Sequence, residues 1–134
     1  MLDMSVIGQL REWIAVEEEI ILNVSRMKMK RSAVAGLLLY ELVADTSKHI
    51  NILNAIIDLI EGCETDSAQV EFSYETIKDH LEKERRALEF AERLADETED
   101  EHMRLLLSHI MDDERRHHDI LTYIGEHFLQ SARD

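Results

Sequence analysis

Two copies of one polar cassette stand out in this chain. Asp45-Thr46-Ser47-Lys48-His49 is followed by Ile52-Leu53, and Asp113-Glu114-Arg115-Arg116-His117 by Ile120-Leu121. Each copy has a lone glutamate upstream at nearly the same distance. Glu17 precedes Asp45 by 28 residues and His49 by 32; Glu84 precedes Asp113 by 29 and His117 by 33. Each half of the chain thus offers one carboxylate on one helix and a carboxylate–histidine pair on the next. Two such halves packed face to face place carboxylates and imidazoles around one interior point, as a pair of metal ions in a helix bundle requires. The candidate ligands are Glu17, Asp45, His49, Glu84, Asp113, Glu114 and His117.

The elements that must position these residues are helices. The chain has no proline and only four glycines, and it is rich in strong helix formers. Period-3.6 patterning predicts four helices, over about 3–27, 32–61, 74–97 and 99–130. Ser32 is the expected N-cap of the second, and Gly62 its C-terminal stop. Thr98-Glu99-Asp100-Glu101 matches a capping box that would open the fourth. Helices of roughly 35–45 Å, at 1.5 Å per residue, suit an all-α antiparallel four-helix bundle built from two hairpins. The connection from Cys63 to Ser73 either turns or crosses the bundle, since fully extended it reaches about 35 Å.

Each apolar stripe is interrupted near mid-helix by the candidate ligands. The first runs Leu10, Trp13, Glu17, Ile20, Val24, and the second Leu38, Leu42, Asp45, His49, Ile52, Ile56. The third runs Ile77, Leu81, Glu84, Leu88, Ala91, and the fourth Leu106, Ile110, Asp113, His117, Ile120, Ile124. Aligned helices would make these breaks one polar belt in an apolar core. Unpaired buried carboxylates cost several kcal/mol each, so the belt calls for cations among them. Oxygen and imidazole donors suit two divalent ions, iron first, with manganese or zinc as alternatives. His80 and His109 stand one turn before Glu84 and Asp113 and are weaker candidates. His118, rotated about 100° from His117, is expected to point elsewhere.

Bulk composition narrows the function. A length of 134 residues suits a single domain over 1–134. A net charge of −14 disfavours nucleic acid and anionic membrane as partners. Cys63 is the only cysteine, which leaves no disulfide framework or cysteine-rich metal site within the chain. No secretory leader or membrane-spanning run is evident in the sequence, so the expected location is cytoplasmic.

With these residues in view, the chain resembles the ferritin-like di-iron carboxylate superfamily, in particular its compact rubrerythrin-type four-helix domains. That resemblance implies a glutamate on the first and third helices, matched by Glu17 and Glu84, and Glu-x-x-His on the second and fourth. Glu114-Arg115-Arg116-His117 matches in full, whereas Thr46 stands where the second helix should carry glutamate. Asp45 is the nearby substitute, and its twin Asp113 points to Asp-x-x-x-His as an alternative pattern. The resemblance further implies Fe(II) oxidation or reduction of O2 or peroxide, with an external electron donor. Cys63 alone cannot build the cysteine-rich electron-transfer domain of rubrerythrins proper, and no fifth helix of the cage-forming ferritins is expected.

The competing reading is a metal-free bundle acting as an interaction or scaffolding module, with Asp, His, Lys48 and Arg116 forming a polar network that sets register. Under either reading a homodimer is expected, with Leu37, Leu39, Ile50 and Ile57 as an apolar flank off the main stripe.

Overall fold

The computed structural model describes residues 4–27, 32–62 and 73–127. It contains four helices: α1 (Val6–Ser25), α2 (Ala33–Ile60), α3 (Tyr74–Glu97) and α4 (Glu101–His127). Among the described residues there is no strand, and no helix is long and apolar enough to cross a membrane. The chain divides into two compact units, Met1–Ser67 and Ala68–Asp134. In the first, α1 packs on α2; in the second, α3 packs on α4. Cys63, Phe128 and the segments 28–31 and 63–72 lie outside the described residues.

The helix ends follow local chemistry. Ser32, in an extended conformation, accepts a hydrogen bond from the Ala35 amide at 3.1 Å and opens α2. Gly62 closes it in the left-handed region, φ +73°, where a side chain would strain the backbone. Ser73 caps α3 through the Thr76 amide. The capping box expected at Thr98 does not form. Thr98 Oγ1 instead accepts from the Asp100 amide at 3.2 Å, and Asp100 Oδ1 accepts from the Met103 amide at 3.0 Å. The reason is the shortness of the link: Thr98 still ends α3, its amide donating to the Leu94 carbonyl. Asp100 is the residue left in the capping position.

In the first unit Ile7 and Leu10 of α1 pack with Leu53 and Ile57 of α2, flanked by Val6, Ile14, Ile56 and Ile60. Val24 is buried further along α1. Glu17 lies between Leu10 and Val24 on α1, and Thr46 precedes Leu53 on α2; these are the two buried polar side chains among the described residues. In the second unit Ile77, Ala91 and Gly125 are buried. Gly125 brings the α4 backbone close to α3, since a Cβ there would sit 3.5 Å from Ile77 Cγ2.

The face used for pairing is rotated from the expected stripe. Leu10, Val24, Ile77 and Ala91 are buried as the patterning predicts. Trp13, Ile20, Leu42, Ile52, Ile110 and Ile120 are not; they are 37–53% exposed. Ile57, expected on an outer flank, is 5% exposed and belongs to the core. Apolar residues cover more of each helix than a single neighbour can bury. The pair contact uses one edge of that surface and leaves the other half-exposed.

The outward side of α3 carries local ion pairs. Lys83 bonds Asp79 at 2.9 Å, and Arg85 bridges Glu82 and Glu89. The Lys83 hydrogen bond holds the Asp79 carboxyl below the usual carboxylate range, and Arg85 does the same to Glu82. Such exposed i,i+3 and i,i+4 pairs are screened by solvent and contribute little to stability.

The rotated face makes a direct prediction. Leu53→Ala should lower unfolding free energy by about 2–4 kcal/mol through a cavity in the α1–α2 contact. Ile52→Ala, on the half-exposed edge, should cost less than half as much. Urea denaturation followed by circular dichroism checks both; equal costs would contradict the observed packing.

Candidate metal centre

In the second unit α3 supplies Glu84 and α4 supplies Glu114 and His117. Their three-residue spacing puts Glu114 and His117 on one side of α4, one turn apart. His117 Nδ1 lies 3.4 Å from Glu84 Oε2, across the helix pair. One potential ligand atom from each of Glu84, Glu114 and His117 lies within 4.8 Å of the others. Atoms each 2.0–2.2 Å from a common ion are at most about 4.4 Å apart, so a few tenths of an ångström of side-chain motion would close the set. All three residues are partly buried. Glu84 and Glu114 also line a cleft of about 360 Å³, together with Arg85, Leu88, Arg115, His118 and Asp119. His118, expected to point elsewhere, therefore lies beside the two glutamates. Its Nδ1 is 3.7 Å from Asp119.

Asp113 is not in the group. Its carboxylate accepts a hydrogen bond from Arg116 at 2.7 Å and is 47% exposed. Of the two patterns offered by the fourth helix, Glu-x-x-His converges on Glu84 and Asp-x-x-x-His does not. The physical reason is the basic residue three positions after the aspartate, which draws the carboxylate along the outer surface of the helix.

The first unit repeats two of these contacts. His49 Nδ1 lies 3.6 Å from Glu17 Oε1, as His117 does from Glu84. Asp45 pairs with Lys48 at 3.6 Å and is 61% exposed, as Asp113 pairs with Arg116. Two features differ. Thr46, at the position of Glu114, turns its hydroxyl back to the Leu42 carbonyl at 2.6 Å. Trp13 Nε1 donates to Glu17 Oε1 at 3.0 Å. Glu17, 8% exposed, is thereby satisfied by an indole and faces an imidazole. Among the described residues no buried side-chain nitrogen or oxygen lacks a hydrogen-bond partner.

Of the seven sequence candidates, the structure thus gathers Glu84, Glu114 and His117, and separately Glu17 with His49. Asp45 and Asp113 go to neighbouring cations. Sequence reasoning assigned Trp13 to the apolar stripe and missed its polar task; the i,i+4 spacing from Trp13 to Glu17 was the available signal. No family model, curated protein or solved structure matches the chain.

The Trp13–Glu17 bond has a measurable consequence. Trp13→Phe keeps the apolar bulk and removes the N–H, leaving a buried carboxylate short of a donor. It should lower stability by about 1–3 kcal/mol. The measurement is urea denaturation by far-ultraviolet circular dichroism; a change within about 0.3 kcal/mol would show that the bond is not formed.

Proposed function

We propose that this protein binds a divalent transition-metal ion through Glu84, Glu114 and His117, and that it is a ferritin-like antiparallel bundle of two helical hairpins. The observation that carries the reading is the convergence of two carboxylates and one imidazole, from two helices, within 4.8 Å. Two further points support it. The three residues follow the Glu…Glu-x-x-His order that the resemblance requires. The set is partly buried, where carboxylates without a cation are costly.

Hard oxygen donors with one borderline nitrogen suit iron, with manganese and zinc as alternatives. Bound iron would supply one-electron chemistry, and the activity proposed is oxidation of Fe(II) or reduction of O2 or peroxide, with an external electron donor. The residues of the chain hold and orient. Glu84 and His117 face each other at 3.4 Å, so one donor atom from each is within reach of a common cation. The adjoining cleft gives a small molecule access to Glu84 and Glu114. Its two arginines temper the negative charge at its rim.

Anaerobic Fe(II) titration followed by an oxygen pulse tests this directly. The wild-type protein should bind Fe(II) stoichiometrically and oxidise it faster than buffer. His117→Ala should weaken binding at least about 100-fold, since loss of outer-shell partners alone costs 10–100-fold. Absence of both binding and oxidation in wild type would contradict the reading.

A second reading has one observation in its favour. Trp13, Leu42, Ile52, Leu94, Ile110 and Ile120 are large, apolar and about half-exposed. This suits a bundle whose task is to be covered, by a second copy of the chain or as an interaction module. Sedimentation at two concentrations showing only monomer would count against a homodimer.

A further inference from the structure

The two units are built to one plan at the level of single positions. A shift of 67 residues carries Leu10, Glu17 and Val24 of α1 onto Ile77, Glu84 and Ala91 of α3. All six are buried except Glu84, whose side chain is 19% exposed. A shift of 68 carries Thr46, Leu53 and Ile57 of α2 onto Glu114, Leu121 and Gly125 of α4. The first three are buried, and the last three are partly or fully buried. The same shift carries Asp45, Lys48 and His49 onto Asp113, Arg116 and His117. Both the Asp–cation pair and the Glu–His contact recur in the shifted positions.

Two of the differences between the units fall at or beside the ligand set. The first unit has Thr46 in place of Glu114 and Trp13 in place of His80. Thr46 is 5% exposed, and its hydroxyl is committed to the Leu42 carbonyl. Trp13 donates to the same Glu17 oxygen that faces His49. The resemblance implies a second ion whose ligands would come from these positions, and the residues present do not fit it. Two donors remain, Glu17 and His49, and one oxygen of the glutamate already accepts the Trp13 hydrogen bond. Glu84, by contrast, faces His117 at 3.4 Å with Glu114 beside it.

We propose that the chain is an internal repeat of two units with one metal-binding copy, and that in the other copy the Trp13 hydrogen bond to Glu17 stands in place of the ion while Thr46, turned to the Leu42 carbonyl, supplies no carboxylate. The chain therefore holds one inner-sphere ion rather than two. The first unit keeps the geometry of the ligand site as a structural element. This inference rests on the metal reading of Glu84, Glu114 and His117.

Co(II) alone serves as the probe, because ligation by protein side chains shifts and strengthens its visible ligand-field absorption above that of the weakly absorbing hydrated ions condensed on an acidic surface. Equilibrium dialysis supplies the total count. Wild type should show one inner-sphere equivalent, and Glu17→Gln should leave that value unchanged. Glu114→Thr, which gives the second unit the residue of the first, should abolish it. Trp13→His/Thr46→Glu, which gives the first unit the two residues of the second, should raise the count to two, and adding Glu114→Thr should return it to one. Circular dichroism establishes that each variant is folded. If Trp13→His/Thr46→Glu does not fold, the wild-type count with Glu17→Gln and Glu114→Thr decides. Two equivalents in wild type, one of them lost in Glu17→Gln, would overturn the inference. So would a folded Trp13→His/Thr46→Glu protein that stays at one. No inner-sphere band in wild type would be the failure of the metal reading itself, and this inference would fall with it.

Discussion

A carboxylate held between two helices beside an imidazole is the constraint on which each unit is organised. Glu17 faces His49 and Glu84 faces His117, both across a helix pair rather than along one helix. A glutamate in such a place is costly unless donors or cations surround it. The two units meet that cost differently. Trp13 donates to Glu17 in the first, whereas Glu114 adds a second carboxylate beside Glu84 in the second. Hydrogen bonding satisfies the former arrangement. The latter gathers two carboxylates around one imidazole, and that excess of anionic donors is the physical basis for proposing a metal there.

Around this polar layer the packing is thin. The α1–α2 contact rests on Ile7, Leu10, Leu53 and Ile57, and the α3–α4 contact includes the close approach of Gly125 to Ile77. Apolar side chains such as Trp13, Ile52 and Ile120 stand half-exposed along the other edge of the helices. A helix with two apolar edges can bury one against its partner and retain one for further packing. A covered second edge would also keep water from the polar layer, which strengthens electrostatic interaction there.

Much of this was legible in the sequence, and the parts that were not have physical reasons. The four helices were visible from periodicity, and Ser32 and Gly62 marked the ends of α2 because cap chemistry is local. The pairing of Glu17 with His49 and of Glu84 with His117 was foreshadowed by the repeated cassette. The choice between Glu114 and Asp113 was not settled by spacing, because i−3 and i−4 both lie on the side of the helix near His117. Arg116 settled it by drawing Asp113 outward, a competition between side chains that period alone does not weigh. The rotation of the paired face was hidden for a similar reason. Ile52 and Leu53 are equally apolar neighbours, and which one turns inward depends on the partner helix. Trp13 read as core because its size is the stronger signal; its single N–H decided the outcome.

The central claim is that the ligand set of the second unit, and not its counterpart in the first, takes up a metal ion. The most direct test is a crystal of the full chain soaked in Mn(II), with anomalous diffraction used to locate the ion. The account predicts one strong peak within bonding distance of Glu84, Glu114 and His117, and none between Glu17 and His49. A peak at Glu17 and His49, or a well-ordered second unit with no peak beside Glu84, would contradict it.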